Sequence, residues 1–206
     1  MKKGYLITFE GIEGSGKSTI IRWLCNQLIE RGYDILTCRE PGGDIAGQAI
    51  REILLDKRYQ LTYESELLLM EAARSQNVVH IIQPALAEGK VVLCDRFTDS
   101  TIAYQGNARG LDINLINQLN DFASNGLIPD FTILLDLPVE IGLDRTLHID
   151  RISTETLDFH QKVRDKYLEI ASSNPDRVIL LDAGECLDNV KAQVLDIVLR
   201  KLGEEL

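Results

Sequence analysis

An eight-residue stretch near the start of the chain, Gly11–Ser18 (GIEGSGKS), constrains the fold more than any other feature. It has the pattern glycine, any four residues, glycine, lysine, serine, and it lies between an apolar run at Tyr5–Phe9 and a segment of helical spacing. A strand that enters such a loop and a helix that leaves it point backbone N–H groups at one spot, and glycine lets the backbone approach an anion closely. We therefore predict a phosphate loop in which Lys17 reaches the β- and γ-phosphates and Ser18 holds Mg²⁺. The alternative is a glycine-rich turn with a solvent-facing lysine.

Composition limits the possible partners. The 206 residues, 45% of them hydrophobic, suit one domain over 1–206 with a substantial core. A net charge of −10 argues against binding to nucleic acid or to an anionic membrane, so anionic substrates would need a local cluster of arginine and lysine. No apolar run predicts a membrane span or a signal peptide. The four cysteines lack metal-type spacing, which predicts buried free thiols and a cytoplasmic protein.

Five short apolar segments alternate with segments of helical spacing. The predicted strands are Tyr5–Glu10, Asp34–Cys38, Lys90–Asp95, Phe131–Leu137 and Arg177–Asp182. This alternation predicts a doubly wound α/β domain with a five-stranded parallel sheet flanked by helices. Ligands of such sheets bind beyond the carboxyl ends of the strands. We therefore expect chemistry in the phosphate loop, in the loop Arg39–Gly43 after the second strand, and at Asp95-Arg96 after the third.

Asp95 and Arg96 are the strongest candidates outside the phosphate loop. An acid that ends a buried strand in a phosphate-loop protein can hold Mg²⁺ through water or contact the nucleophile. An adjacent arginine suits bidentate phosphate binding. The alternative is an acid that caps the next helix and pairs with its neighbour.

Weaker candidates lie on the predicted helices. Arg51 and Arg74 could reach a ligand or could be solvated helix arginines, and Arg51 has acidic neighbours for a salt bridge. The segment Ser100–Gly106 follows Asp95-Arg96 by one helical turn, so its hydroxyl and amide groups could face the same cleft and suit a base edge.

A polar stretch between two predicted helices, at about 146–153, could form a short lid. Arginines on a mobile loop can neutralise charge during phosphoryl transfer, and the alternative is an exposed basic turn. The polar residues concerned are Arg145, His148, Asp150 and Arg151. Elsewhere, His80 and His160 are predicted to be structural because they have no partner pattern, and Tyr167 could lie in the core or reach the cleft.

Taken together, these motifs resemble the thymidylate kinase family of phosphate-loop nucleoside monophosphate kinases, in its bacterial form with a catalytic arginine in the lid. The resemblance covers the whole chain. It rests on Phe9-Glu10-Gly11, Arg39-Glu40-Pro41-Gly42-Gly43, Ala72-Ala73-Arg74, Asp95-Arg96-Phe97 with Ser100 and Ala103-Tyr104-Gln105, and Pro129-Asp130. It implies transfer of phosphate from MgATP to dTMP, giving dTDP for dTTP synthesis, by a homodimer.

The resemblance also implies roles for individual residues. ATP would be bound by Gly11, Ile12, Glu13, Gly14, Ser15, Gly16, Lys17, Ser18 and Thr19. The residues implied for dTMP are Glu13, Arg39, Glu40, Pro41, Arg51, Met70, Arg74, Arg96, Ser100, Thr101, Tyr104, Gln105 and Tyr167. Mg²⁺ would be held by Ser18 and Asp95, and catalysis would use Lys17, Asp95, Arg96, Arg145 and Arg151.

Some of these roles are specific. Arg74 would bond the thymine carbonyl, Tyr104 would disfavour a 2′-hydroxyl, and Glu13 would contact the 3′-hydroxyl. The phosphate loop contains no arginine, and relatives of this kind usually supply a catalytic arginine from the lid. The resemblance therefore makes Arg145 and Arg151 the candidates. Many relatives have phenylalanine at the position of Met70, whose thioether can also pack on a pyrimidine, and many have a longer lid.

Two other readings compete. The first is a kinase of the same fold with another acceptor, such as CMP, UMP, a deoxynucleoside or shikimate. The second is a GTP-driven switch, which would need a guanine-reading Asn-Lys-x-Asp element that the sequence lacks.

Overall fold

The computed structural model describes residues 3–146 and 150–203. Its strands are β1 (Tyr5–Glu10), β2 (Ile35–Arg39), β3 (Val91–Asp95), β4 (Phe131–Asp136) and β5 (Val178–Asp182). The α-helices are α1 (Lys17–Glu30), α2 (Ile45–Leu55), α3 (Tyr63–Asn77), α4 (Gln83–Ala87), α5 (Thr98–Thr101), α6 (Ile113–Ser124), α7 (Val139–Arg145), α8 (Leu157–Ser173) and α9 (Leu187–Leu202). Two π-helical segments, Val78–Ile82 and Ile102–Ala108, continue α3 and α5.

The strands form one parallel sheet in the order β2-β3-β1-β4-β5. This places β1, and with it the phosphate loop, at the centre. The register pairs Asp95 with Phe9 of β1 on one side and with Arg39 of β2 on the other. The ends of the three strands that carry predicted chemistry therefore lie side by side.

Each face of the sheet packs against helices, which makes three layers. Side chains alternate along the strands, so Leu6 and Val92 belong to one apolar cluster, whereas Ile7 and Leu93 belong to the other. The five-stranded parallel α/β architecture is thus confirmed. None of the described helices is long and apolar enough to cross a membrane.

Local signals account for several helix starts. The Thr62 hydroxyl accepts from the Ser65 N–H to cap α3, and the Thr156 hydroxyl caps α8 in the same way. The expectation that the cysteines are buried was wrong for three of the four. Of the free cysteines only Cys94 is buried, and Cys186 is exposed.

Candidate functional site

The phosphate loop has the backbone geometry that its glycines predict. Gly14 and Gly16 have positive φ angles of 71° and 90°. A Cβ on Gly14 would collide with the backbone of Gly142, so glycine is required there for space as well as for conformation. Helix α1 starts directly after Gly16 with no side-chain cap, which leaves its first N–H groups available to an anion.

Lys17 closes the loop from within. Its ammonium donates to the carbonyl oxygens of Gly11 (2.9 Å) and Ile12 (2.8 Å) and is nearly buried. Burial, with the nearby Arg96, lowers the pKa of Lys17 to about 8. The Lys17 ammonium, which bonds loop carbonyls here, could donate to phosphate oxygens when a nucleotide is bound.

Ser18 and Asp95 meet where a magnesium ion would be needed. The Ser18 hydroxyl donates to the Asp95 carboxylate at 2.8 Å, which joins the start of α1 to the end of β3. A hydroxyl and a carboxylate are hard oxygen donors, which fit Mg²⁺ when water and phosphate oxygens supply the other ligands. No cluster of three or more His, Cys, Asp or Glu ligands occurs among residues 3–146 and 150–203, so the residues fit a phosphate-assisted site and not an all-protein cage.

Arg96 connects the two halves of the site. It has a left-handed backbone with φ of 71°, which is strained for a non-glycine residue. Its guanidinium donates to Glu13 at 2.9 Å and to the Tyr167 hydroxyl at 3.1 Å, and it lies 4.9 Å from the Tyr104 ring centroid. Tyr104 also donates to Glu13, at 2.8 Å. Burial opposes ionisation of Glu13, but Arg96, His160, Lys17 and Tyr104 together outweigh it and hold the pKa of Glu13 well below its usual range.

Glu10, which was noted only as part of the Phe9-Glu10-Gly11 motif, supports the strained turn. Its buried carboxylate accepts from the Phe97 backbone N–H (2.7 Å), the Ser100 hydroxyl (2.6 Å) and the Tyr167 hydroxyl (2.8 Å). Burial, together with the charge of Asp99, raises the pKa of Glu10 to about 7. Glu10 could have been identified from the sequence as an acid at the end of a buried strand, but that criterion was used only for Asp95 of β3.

His160 has a neighbour that its sequence context did not reveal. The ring is fully buried, and Nδ1 lies 3.4 Å from the Glu13 carboxylate. This contact joins α8 to a loop 147 positions earlier in the chain, so no local pattern could reveal it, and the structural role of His160 stays a prediction. His80 is exposed on the π-helical continuation of α3.

A cleft of about 870 Å³ runs along the carboxyl edge of the sheet. Among its lining residues are Glu13–Thr19, Glu40, Pro41, Arg51, Met70, Asp95, Arg96, Ser100, Tyr104 and Gln105. The structure thus brings together most of the predicted residues. The cleft is also lined by Arg145, Thr146, Asp150, Ile152, Ser153, Ala183 and Glu185. Ala183 and Glu185 follow β5, so the rule of strand ends could have identified them.

The predicted acceptor arginines are not equivalent. Arg51 lines the cleft and donates to the Pro41 carbonyl at 3.1 Å. Burial, with the nearby Arg39 and Arg96, lowers the pKa of Arg51 to about 10. Arg39 instead lines a second cavity of about 530 Å³ that also reaches Asp95.

Arg74 lies in the interior and does not line the cleft. Its guanidinium donates to Glu40 at 2.8 Å, to Glu71 at 2.9 Å and to the Phe97 carbonyl at 3.1 Å. The side chain is 2% exposed. The reading of Arg74 as a solvated helix arginine is therefore wrong, because two carboxylates draw it inward. Its contact with the base stays a prediction. Thr101 and Tyr167 are likewise buried and do not line the cleft.

The lid arginines differ sharply. Arg145 lines the cleft with one long bond, 3.4 Å, to the Ala183 carbonyl. Arg151 does not line it; the guanidinium pairs with Glu66 at 2.6 Å and donates to the Leu54 carbonyl at 2.8 Å. Arg145 and Arg151 were the two candidates for the catalytic arginine of the lid, and a buried carboxylate holds Arg151 away from the cleft. His148 lies outside the described residues, as does part of the predicted lid.

Comparison with known proteins agrees with this geometry. The family model for thymidylate kinase matches residues 9–194. The chain is 49% identical to a thymidylate kinase of Geotalea uraniireducens (strain Rf4), over 98% of this chain and 99% of that one. The chain belongs to the thymidylate kinase family.

Further relatives extend the agreement to the fold. The chain is 45% identical to a thymidylate kinase of Pediococcus pentosaceus, over 95% of this chain and 97% of that one. A crystal structure of thymidylate kinase from Ehrlichia chaffeensis matches with a TM-score of 0.79 and 36% identity, covering 95% of this chain and 99% of that one. The predictions of a nucleoside monophosphate kinase fold and of a kinase are confirmed, and the reading as a GTP-driven switch is rejected.

Proposed function

We propose that this chain transfers the γ-phosphoryl group of ATP to dTMP, forming dTDP and ADP for dTTP synthesis. The observation that carries the proposal is the cleft whose wall contains the phosphate loop, including Glu13, together with Arg96 and Tyr104. An oxygen of the acceptor phosphate attacks the γ-phosphorus, and the bond from that phosphorus to the β–γ bridging oxygen breaks. Such a transfer needs alignment and charge neutralisation more than covalent chemistry.

The donor half would be built by the phosphate loop. Its N–H groups and Lys17 would hold the β- and γ-phosphates, and Arg145 would approach them from the lid side. Ser18 and Asp95 would hold Mg²⁺, which would supply positive charge against the developing negative charge of the phosphates. Arg151 would act indirectly, by fixing the lid segment to the interior.

The acceptor half would lie on the opposite wall. Arg96 and Arg51, with Arg39 nearby, would bind the dTMP phosphate, which offsets the repulsion between two anions on an acidic protein. Glu13, held by Arg96, would accept from the 3′-hydroxyl. Tyr104 would occupy the space beside the sugar and favour deoxyribose. Met70, Ser100 and Gln105 would lie along the base, with Arg74 and Thr101 behind them.

We further propose that the protein acts as a homodimer in the cytoplasm, where its nucleotide substrates occur. Support comes from apolar side chains left exposed on the adjacent helices α3 and α6. Leu68 is 58% exposed and Phe122 is 83% exposed. Light scattering on the purified protein should give twice the chain mass, and Phe122→Glu should reduce it toward one. A wild-type monomer at micromolar concentration would refute the dimer.

A coupled assay of ADP release tests the activity. With MgATP, turnover of dTMP should greatly exceed that of dUMP, CMP and thymidine. Comparable rates with CMP would overturn the acceptor assignment. ADP release that is independent of any acceptor would overturn the transferase itself.

A further inference from the structure

A buried carboxylate on α3 holds one side chain of the cleft wall. Glu66 is 1% exposed, and its Oε1 accepts from the Gln105 amide nitrogen at 2.7 Å. The same carboxylate accepts from Arg109 at 3.1 Å and lies 2.6 Å from Arg151. Two arginines keep it ionised, and burial does not prevent this: the pKa of Glu66 is lowered.

One hydrogen-bonding atom of Gln105, its amide oxygen, has no partner in the described part of the chain. Its side chain is fully buried and lines the cleft beside Ser100 and Tyr104. The amide Nε2 is committed to Glu66, whereas Oε1 has no hydrogen-bond partner within the described part of the chain. An amide can usually be turned end over end, but an ionised carboxylate only accepts, so the reversed amide would set two oxygens against each other. What Gln105 can offer a ligand is therefore an acceptor.

We propose that Glu66 is a positioning residue that sets the polarity of Gln105 and thereby the base preference of the acceptor half. The free amide oxygen suits a base with an N–H on its pairing edge, as N3 of thymine and uracil has. It repels a base with a ring-nitrogen acceptor there, as N3 of cytosine is. This inference rests on the proposed function, because it needs the nucleoside monophosphate in this half of the cleft.

Replacing Glu66 by Gln makes a sharp test. Arg109 and Arg151 would take the new amide oxygen, so the new NH₂ group would face Gln105. Gln105 would then accept with its own oxygen and present its NH₂ to the cleft, which inverts the polarity. The double variant E66Q/Q105E would restore it, because a carboxylate at 105 accepts from both sides.

Kinetics are measured with dTMP and 5-methyl-dCMP, which differ only at the N3 and C4 edge. In E66Q the ratio of kcat/KM for dTMP over 5-methyl-dCMP should fall at least tenfold, through a higher KM for dTMP with kcat largely kept. The double variant should recover most of the ratio. Glu155→Gln, which removes the other carboxylate of Arg109 (2.7 Å) but leaves Glu66 in place, should keep the wild-type ratio.

Several outcomes would overturn the inference. One is an E66Q ratio within twofold of wild type, including the case in which kcat falls equally for both substrates, since that shows a purely structural role. Another is a double variant as unselective as E66Q. If E66Q does not fold, the double variant alone decides. If neither folds, wild type decides, and equal KM values for the two nucleotides would refute the role. Absence of dTMP turnover in wild type would instead refute the proposed function.

Discussion

The guanidinium of Arg96 donates to the carboxylate of Glu13 at 2.9 Å, which ties the end of β3 to the middle of the phosphate loop. Each residue thereby holds the other in the cleft. A phosphate bound by Arg96 and a sugar bound by Glu13 would thus be set at a fixed distance from the donor. Substitutions can separate the binding of the acceptor by this pair from the roles of other residues in the site.

Arg96→Ala should raise the KM for dTMP about 10- to 100-fold, because it removes charge-assisted bonds to the acceptor phosphate. The KM for ATP should change much less. Steady-state kinetics with each nucleotide varied in turn measure both constants. Arg200→Ala, on the exposed face of α9, is the matched control. A near-normal KM for dTMP in Arg96→Ala would refute the role.

Asp95→Asn should increase the Mg²⁺ concentration needed for half-maximal activity about 10- to 100-fold, because the neutral amide binds the metal and its hydration shell less well. The measurement is a Mg²⁺ titration at fixed ATP after chelation. Asp182→Asn, at the exposed end of β5, should leave the titration unchanged. Identical midpoints for wild type and Asp95→Asn would contradict the metal assignment.

Arg145→Ala should affect activity, whereas Arg151→Ala should affect stability. Arg145→Ala should lower kcat about tenfold or more without changing the free energy of unfolding, because the side chain makes one long bond within the described part of the chain. Arg151→Ala should reduce the free energy of unfolding by about 3 kcal/mol, because it breaks a buried ion pair with Glu66. Activity assays and urea denaturation of both variants give the comparison. Equal loss of stability in both would remove the distinction.

Glu10→Gln should change how stability depends on pH. The folded-state pKa of Glu10, about 7, lies above the unfolded value of 4.5, so the folded protein keeps a proton that the unfolded chain releases. This contribution is fully present below pH 4.5 and is lost as the pH rises to about 7, amounting to about 3 kcal/mol at most. Urea denaturation at pH 5 and pH 7.5 should therefore show wild type losing stability relative to Glu10→Gln. A pH-independent difference would show that burial does not raise the pKa.

The local pattern of the sequence was sufficient to predict the layers of the fold and the donor half of the site. A strand, a glycine-rich loop and a helix start follow from neighbouring residues, and Lys17, Ser18 and Asp95 occupy places that these elements prescribe. The cleft wall also includes Arg96, Ser100 and Gln105, since they follow a strand that had to end at the same edge.

Only the tertiary structure decided which arginines face the ligands. Arg74 and Arg145 look alike in sequence, yet Arg74 is buried between Glu40 and Glu71, whereas Arg145 lies in the cleft. Arg74 is drawn inward by one carboxylate that is near in sequence, Glu71, and one that is distant, Glu40, and helical periodicity contains no information on the distant one. For the same reason the sequence did not predict the pairing of Glu66 with Gln105 or of His160 with Glu13. Strand order and helix packing bring these residues together, and the local spacing of residues predicts neither.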